Sequence, residues 1–195
     1  MRIVLASRNE HKILESRQIL QNTGLEVLGL DALVDLPEIP EDHDSFEENA
    51  LQKACFVYER TGELCVADDS GLEVDALGGR PGVHSKRFTP EATAESNNHH
   101  LLKLMETQDQ RSARFRCVIA LVGSTGQATA SGACEGSVAR EISGEGGFGY
   151  DPLFLPVEFP GRSMAEISSE EKNQVSHRGR AFRQLPSLLE QLGLL

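Results

Sequence analysis

The order of apolar and polar residues along the chain predicts strands that alternate with helices. Short apolar runs with the composition of strands occupy residues 2–6, 25–28, 64–67, 112–123 and 127–140. A turn signal separates the last two runs, which predicts an antiparallel hairpin. Apolar residues recur at helical spacing over about 10–22, 45–60, 91–107 and 164–192. Helices alternate with strands early and paired strands follow, which predicts an α/β domain built on a mixed sheet.

Three residues in the last predicted helical range, Ser176, Gly179 and Pro186, disfavour an unbroken helix. Ser176 can act as a new N-cap, since Gly179 just beyond it is a poor residue for a helix interior. Pro186 lacks a backbone donor and predicts a further kink or restart. The acidic stretch 35–44, with its two prolines, predicts a flexible loop before the second helix.

The composition is that of one globular domain. The chain has 195 residues, of which 39% are hydrophobic and 25% charged, and we expect a single domain over 1–195 with two lobes. No apolar run approaches the roughly 18 residues that a membrane span needs. The N-terminal residues also lack the apolar stretch of a secretory signal, so we expect a cytoplasmic protein. The four cysteines show no C-x-x-C spacing, which favours buried free thiols over a zinc site.

The charge of the chain narrows the class of partner. It carries 30 acidic and 19 basic residues, a net charge of −11, which opposes binding to a nucleic-acid polymer. A small phosphorylated ligand stays compatible with this charge if a few cations cluster around it.

The segment "SRNEHK", residues 7–12, joins the first predicted strand to the first predicted helix. Asn9 is a plausible N-cap, and a helix start flanked by Ser7 and Lys12 is suited to binding an anion. The glycine pattern of a Walker A loop is absent. An ordinary capped helix with a solvated lysine is the alternative.

The segment "DSFEENALQKA", residues 44–54, begins the second predicted helix. Ser45 and Glu48 have the S-x-x-E spacing of a capping box, which is a structural role. Glu48 could instead direct its carboxylate into a site, with Lys53 on the same helix.

The segment "VADDSG", residues 66–71, places two adjacent carboxylates after a predicted strand. If the strand ends there, Asp68 and Asp69 lie at the carboxyl edge of the sheet, where α/β proteins commonly bind ligands. Mg²⁺ needs only one or two carboxylates plus substrate phosphates, so Glu48 with either acid would suffice. The alternative is a polar turn before a new strand that starts at Leu72.

The segments "GEGGFGYDPLF" (144–154) and "EEKNQVSHRGRAF" (170–182) combine glycines, an aromatic residue and cations. The glycines allow a ligand to approach the backbone, and Phe148 offers a flat face to a base. Asp151 precedes a proline, which predicts extended backbone there. A glycine-rich turn and a solvated basic helix face are the alternatives. Together with the three earlier segments, however, these two indicate a nucleotide site.

Five motifs, in their order along the chain, carry a resemblance to a known family. "SRNEHK", "SFEENALQKA", "ADDSGLEVDALGGRPGVHS", "GGFGYDPLF" and "EEKNQVSHRGRA" resemble the successive motifs of the inosine/xanthosine triphosphate pyrophosphatases, the Ham1-like or ITPase family. The resemblance spans nearly the whole chain. It implies an elongated, two-lobed α/β fold with a long central mixed β-sheet flanked by helices, in a homodimer.

The resemblance also implies an activity. Members hydrolyse deaminated purine nucleoside triphosphates (ITP, dITP, XTP) to the monophosphate and pyrophosphate with Mg²⁺, which cleanses the nucleotide pool and prevents their incorporation into DNA and RNA. A pyrophosphatase for other modified nucleotides, of the Maf-like substrate class, and a sensor that binds nucleotide without hydrolysis stay open as alternatives.

Roles for individual residues follow from the matching motifs. Asp69 is expected to accept the proton of the attacking water and, with Glu48, to bind Mg²⁺. The expected substrate-binding residues are Ser7, Arg8, Asn9, Glu10, His11, Lys12, Lys53, Ser70, Phe148, Gly149, Tyr150, Asp151, Lys172, His177 and Arg178. Of these, the residues from Phe148 onward are expected at the nucleoside and base end, with His177 and Arg178 as candidate donors to the 6-keto oxygen. Arg8 departs from the motif, which commonly reads Thr-Gly-Asn, and could add a phosphate contact.

Overall fold

A computed structural model describes residues 1–30 and 36–195, and it confirms the α/β class. The strands are β1 (Arg2–Leu5), β2 (Glu26–Leu28), β3 (Cys65–Val74), β4 (Ser112–Gly123), β5 (Gly126–Val138) and β6 (Phe154–Pro156). Among the described residues they form one six-stranded sheet in the order β2-β1-β3-β4-β5-β6. β1 pairs in parallel with both β2 and β3, whereas β5 and β6 are antiparallel, so the sheet is mixed as predicted. β4 and β5 are neighbours joined by two residues, which confirms the predicted hairpin.

The helices are α1 (Glu10–Leu20), α2 (Phe46–Thr61), α3 (Ala94–Leu104), α4 (Ser169–Val175), α5 (His177–Phe182) and α6 (Leu185–Gln191). Ser45 caps α2 as the spacing predicts, and Gly62 ends it in the left-handed conformation. No helix in the described ranges has the length and apolar character that a membrane crossing requires.

The range 164–192 is divided into three helices by the two breaks that the sequence predicts, whereas its predicted start at residue 164 was wrong. Ser168 forms a capping box with Glu171, so α4 begins only at residue 169. Ser176 has extended backbone between α4 and α5, and Pro186 lies in the first turn of α6. Both predicted breaks are therefore present.

The chain divides into two compact units. The first comprises residues 1–69, 117–132 and 178–195, and the second comprises 70–116 and 133–177. The core of the first unit joins β1 and β4 to the end of the chain through residues such as Ile3, Ile119 and Phe182. The core of the second packs Leu101 of α3 against residues that include Phe154 of β6. Each unit thus has its own apolar interior.

The predicted flexible loop lies partly outside the described residues, since residue 35 is not described. Its described part, from residue 36 to the start of α2, has no helix or strand. Within this part Asp42 and His43 donate their backbone N–H groups to side chains of α2, Gln52 at 3.3 Å and Asn49 at 3.0 Å.

Candidate active site

The segment between β1 and α1 forms the N-terminal cap that the sequence predicts. The Asn9 side-chain oxygen accepts hydrogen bonds from the backbone N–H groups of His11 (3.0 Å) and Lys12 (3.3 Å). Ser7 in turn accepts from the Asn9 backbone N–H at 3.1 Å. The exposed Arg8 donates to the backbone carbonyl of Leu36. Glu10, like His11, has an exposed side chain at the start of the helix.

The two acids of "VADDSG" lie inside a strand, not at its end. The prediction that the strand stops at Asp68 was wrong, because β3 continues through Asp69, Ser70 and Gly71 to Val74. Consecutive side chains of a strand point to opposite faces of the sheet, so the two carboxylates have different surroundings. Both are buried, with 2% of Asp68 and 8% of Asp69 exposed. Burial of two ionised acids requires compensating charges.

Asp68 is compensated by two cations. Lys12 Nζ lies 3.1 Å and Arg178 Nη2 3.0 Å from its Oδ2 atom, and Arg178 Nη1 also lies 2.6 Å from Glu15 Oε2. Burial by itself raises the pKa of Asp68, but Lys12 and Arg178 outweigh it and hold the pKa well below the usual range. The neighbouring thiol of Cys117 has a pKa raised to about 12, chiefly by burial and then by Asp68. Asp68 therefore stays ionised within a fixed set of charges.

Asp69 has a different set of partners, all from α2. Lys53 Nζ lies 2.8 Å from Oδ1, and Asn49 donates its side-chain amide to Oδ2 at 3.2 Å. Lys53 also pairs with Glu41 at 2.8 Å. Burial raises the pKa of Asp69, and the attraction of Lys53 only partly offsets this. The pKa of Lys53 is also raised, because Asp69 and Glu41 outweigh the effect of burial.

Glu48 contacts Ser45, the N-cap residue of α2. Ser45 accepts from the Glu48 backbone N–H at 3.2 Å and donates its hydroxyl to Glu48 Oε2 at 2.7 Å. The Glu48 side chain is exposed in the first turn of α2, where a negative charge is favourable. That Glu48 binds a metal ion stays a prediction.

In the second unit, the glycine-rich segment is organised around a buried ion pair. Asp151 Oδ2 lies 2.6 Å from Lys172 Nζ and accepts from the Phe148 backbone N–H at 2.7 Å. Lys172 Nζ lies 4.7 Å from the centre of the half-buried Phe148 ring. A Cβ at Gly147 would lie 2.1 Å from Asp151 Oδ2, so this close approach requires glycine. The predicted extended backbone at Asp151 was wrong, since Asp151 begins a 3₁₀ helix that extends to Leu153.

The remaining predicted residues of this unit are held by neighbours within it. Tyr150 donates its hydroxyl to the Ser85 carbonyl at 2.9 Å, and Asn98 donates to the Gly149 carbonyl at 2.9 Å. The buried His177 ring stacks on Phe115, with ring centres 4.7 Å apart. Ser70 is half-buried on β3.

Two alternatives from the sequence are excluded by burial. Lys12 contacts Asp68 and so is not a simple solvated lysine. Lys172, His177 and Arg178 are buried, which excludes a solvated basic face at these positions. Arg178, only 1% exposed, directs three nitrogen atoms at Asp68 and Glu15.

Sequence reasoning missed the partners that fix the charged groups. These partners are Glu15, Glu41, Asn49, Asn98 and Cys117. Asn49 carried a signal, because an asparagine inside a helix is unfavourable unless its side chain has a task. Asn98 carried the same signal inside α3, whereas the other three occur in sequence contexts that suit any surface or core residue.

The first unit carries groups suited to binding a polyphosphate and activating water. The first unit holds three cations near two acids, and one acid has a raised pKa that suits proton transfer. The second unit offers an aromatic face beside a lysine. Within the described residues no group of three or more His, Cys, Asp or Glu could hold a metal ion alone.

Comparisons with known proteins agree with this chemistry. Residues 3–188 match the family model described as Ham1 family. A dITP/XTP pyrophosphatase of Desulforamulus reducens is 47% identical over 196 residues, which cover 98% of this chain and 97% of that protein. The dITP/XTP pyrophosphatase of Geobacter sulfurreducens is 46% identical over 197 residues, or 99% and 98% of the two chains.

Solved structures give the same result for the fold. A HAM1 protein from Coxiella burnetii superposes with a TM-score of 0.86 at 38% identity, over 98% of this chain and 99% of that one. The nucleoside-triphosphatase, or dITP/XTP pyrophosphatase, of Mycobacterium abscessus gives a TM-score of 0.75 at 43% identity, over 95% and 98% of the chains. The similarity thus extends over nearly the full length in both sequence and fold.

Proposed function

The chain belongs to the Ham1 family, and on this premise we propose that it hydrolyses deaminated purine nucleoside triphosphates such as dITP and XTP. The products are the nucleoside monophosphate and pyrophosphate. This activity removes the deaminated nucleotides from the pool before a polymerase can use them.

The observation that carries the proposal is the difference between the two acids of β3. Asp68 is held ionised by Lys12 and Arg178, whereas Asp69 has a raised pKa and contacts Lys53 and Asn49. A buried carboxylate with a raised pKa beside a lysine is typical of a general base. Asp69 is therefore the residue proposed to accept the proton of the attacking water.

The phosphate chain is assigned to the residues at the start of α1 and to Lys53. Asn9 and Ser7 order the first turn of α1, and the positive end of its dipole favours an anion. Lys12 and Lys53 add fixed positive charge, while Arg8, Glu10 and His11 flank the same turn. The acidic chain as a whole does not prevent this binding, because screening limits distant charges to about 10 Å.

Mg²⁺ is the proposed cofactor, and the residues present fit it. Glu48 and Asp69 supply hard oxygen donors, and Mg²⁺ typically takes one or two carboxylates with the substrate phosphates completing its shell. That mode matches a chain whose described residues contain no all-protein metal cluster. When bound, Mg²⁺ neutralises the charge that develops on the phosphate oxygens.

The protein's own residues account for the hydrolytic step between the α- and β-phosphates. Asp69 takes one proton from water, the water oxygen bonds to the α-phosphorus, and the bond to the bridging oxygen breaks so that pyrophosphate leaves. Lys53 Nζ keeps Asp69 oriented through Oδ1, and Asn49 does so through Oδ2. Two hydrogen bonds on one carboxylate restrict its rotation, so the base is positioned before substrate arrives.

The nucleoside end is assigned to residues 148–151, Lys172 and His177, with Ser70 as a further substrate contact. Phe148 supplies a face for stacking on the base. Selection of a 6-keto base requires a donor near that oxygen, and an unpaired donor disfavours adenine. Arg178 already donates to Asp68 and Glu15, which favours His177 as this donor.

A substrate panel tests the proposal. Purified protein is incubated with dITP, XTP, ITP, ATP, GTP and a modified pyrimidine triphosphate, with and without Mg²⁺, and pyrophosphate is measured. We expect release from the first three only when Mg²⁺ is present. Equal turnover of ATP would contradict the selectivity, a preference for the modified pyrimidine would favour the Maf-like class, and tight binding without pyrophosphate would favour a sensor.

Asp69→Asn tests the base, with Asp109→Asn as its matched control. Asp109 is an exposed aspartate. We expect the first substitution to lower kcat about 10²- to 10⁴-fold and the second to leave it unchanged. Retained activity in Asp69→Asn would remove Asp69 from the mechanism.

The homodimer stays a prediction that rests on the family resemblance, and the cytoplasmic location stays a prediction that rests on the composition of the sequence. Light scattering across a range of protein concentrations tests the first, and cell fractionation tests the second.

A further inference from the structure

Helix α3 carries two adjacent asparagines that are buried to the same extent. Asn97 and Asn98 are each 4% exposed. Asn97 has partners at both ends of its amide, since it accepts from the Thr89 backbone N–H at 2.9 Å and donates to the Lys86 carbonyl at 3.2 Å. It therefore has an evident structural role in joining α3 to the preceding loop.

Asn98 differs because only one end of its amide is used within the described residues. Its Nδ2 donates to the Gly149 carbonyl at 2.9 Å, whereas its buried Oδ1 has no hydrogen-bond partner among the described residues. A buried carbonyl oxygen without a partner disfavours the folded state. An apolar side chain of similar size would avoid this penalty, so stability does not explain the asparagine. What Asn98 provides, and an apolar residue would not, is a side-chain N–H donor to the Gly149 carbonyl.

A hydrogen bond to the Gly149 carbonyl restrains the backbone of the glycine-rich segment. Gly149 has φ +62°, and a Cβ built on it meets no atom within 4 Å, so side-chain packing does not fix this residue. Its neighbours are fixed in other ways, since the Phe148 N–H donates to Asp151 and the Tyr150 hydroxyl donates to Ser85. The bond from Asn98 thus acts between two anchored residues and orients the peptide group between Gly149 and Tyr150, one residue beyond Phe148.

We propose that Asn98 is a positioning residue, which holds the Gly149 carbonyl and thereby presents the Phe148 ring to the base of the nucleotide. This inference rests on the proposed function and adds to it a residue that touches no reacting atom. Loss of the donor frees the peptide group between Gly149 and Tyr150, and with it the segment that carries Phe148, while the phosphate-binding residues stay as they are. The base then binds more weakly, whereas the rate of the chemical step is unchanged.

Asn98→Leu is the main test. It removes the donor and the unpartnered oxygen together at similar volume, so we expect a Tm equal to or above that of the wild type. We expect the KM for dITP to rise about 5- to 10-fold, as for loss of one hydrogen bond, with kcat within about 2-fold. Hydrogen–deuterium exchange of a peptide covering 146–154 should become faster. Asn98→Ala, a smaller substitution, should give the same kinetic change.

Two controls separate positioning from general destabilisation. Leu101→Ala creates a cavity in the same helix at a fully buried apolar site, and it should lower the Tm without changing KM. Inorganic tripolyphosphate, which has no base, should inhibit wild-type protein and Asn98→Leu with equal inhibition constants.

The possible outcomes are distinct. Unchanged exchange of 146–154, an unchanged KM, or a parallel rise in the inhibition constant of tripolyphosphate would each overturn the positioning role while leaving the hydrolase intact. Absence of dITP hydrolysis in the wild-type protein would refute the proposed function, and the role of Asn98 in substrate binding with it.

Discussion

Substitution of Asp68 by asparagine tests how much the buried charges of the first unit contribute to the free energy of unfolding. Asp68→Asn keeps the shape of the side chain and removes its charge. Arg178, which is 1% exposed, then loses the carboxylate charge of Asp68 and keeps Glu15 as an acidic partner at 2.6 Å, while Lys12 can turn towards water. Removal of one partner from a buried ion pair typically destabilises a protein by about 3–5 kcal/mol. Against a total stability of about 5–15 kcal/mol, that is a large fraction.

The assay is guanidinium denaturation followed by far-ultraviolet circular dichroism, because the chain has no tryptophan. The matched control is Glu135→Gln, which removes an acid 3.1 Å from Arg114 with a side chain 57% exposed. Such surface pairs contribute about 0.2–1 kcal/mol. A loss of stability in Asp68→Asn no larger than that of the control would refute the reasoning.

The pH dependence gives a second measurement on the same variant. Since Lys12 and Arg178 hold the pKa of folded Asp68 below the ordinary value of about 3.9, its contribution to stability is complete above that value. The contribution is lost as the pH falls from there towards the folded pKa. Wild-type protein should therefore lose stability more steeply in acid than Asp68→Asn. Equal slopes would contradict a depressed pKa at this residue.

Three further predictions concern catalysis and the thiols. Because burial raises the pKa of Asp69, the acid limb of kcat/KM against pH should lie above the ordinary aspartate pKa of about 3.9, and a limb at or below it would contradict this. Glu48→Gln should raise the Mg²⁺ concentration for half-maximal activity about 10-fold, and an unchanged Mg²⁺ concentration would remove Glu48 from the metal site. In the wild type, a chelator should abolish activity until Mg²⁺ is restored. The half-buried Cys55 should react first with a thiol reagent, since burial raises the pKa of Cys65 and Cys117 to about 12; early labelling of either of those two would contradict their burial.

The sequence predicts caps and turns well because each depends on residues that are close together in the sequence. Ser45 caps α2 where the spacing places it, and the hairpin of β4 and β5 has its turn where the signal occurs. The continuation of β3 through Asp68 could not be predicted in this way. Its compensating guanidinium, on Arg178, lies 110 residues further along the chain.

The same distinction holds for the candidate site. Motifs indicate which residue types occur together, so Asp69, Lys53 and Lys12 could be named from sequence. Which cation faces which acid depends on the strand direction and on helices from distant parts of the chain. For that reason the partners of Arg178, and the donor to Gly149, became evident only from the structure.

Because Asp68 and Asp69 lie in one strand, the position of each along β3 decides its surroundings. Side chains along β3 alternate between faces, so the parity of a position decides whether its carboxylate meets Arg178 or Lys53. Insertion or deletion of a single residue in 65–67 would turn both acids to the opposite face of the sheet, and only one of them would then occupy the position of the other. We therefore expect the number of residues in this short segment to be constrained far more tightly than their identity.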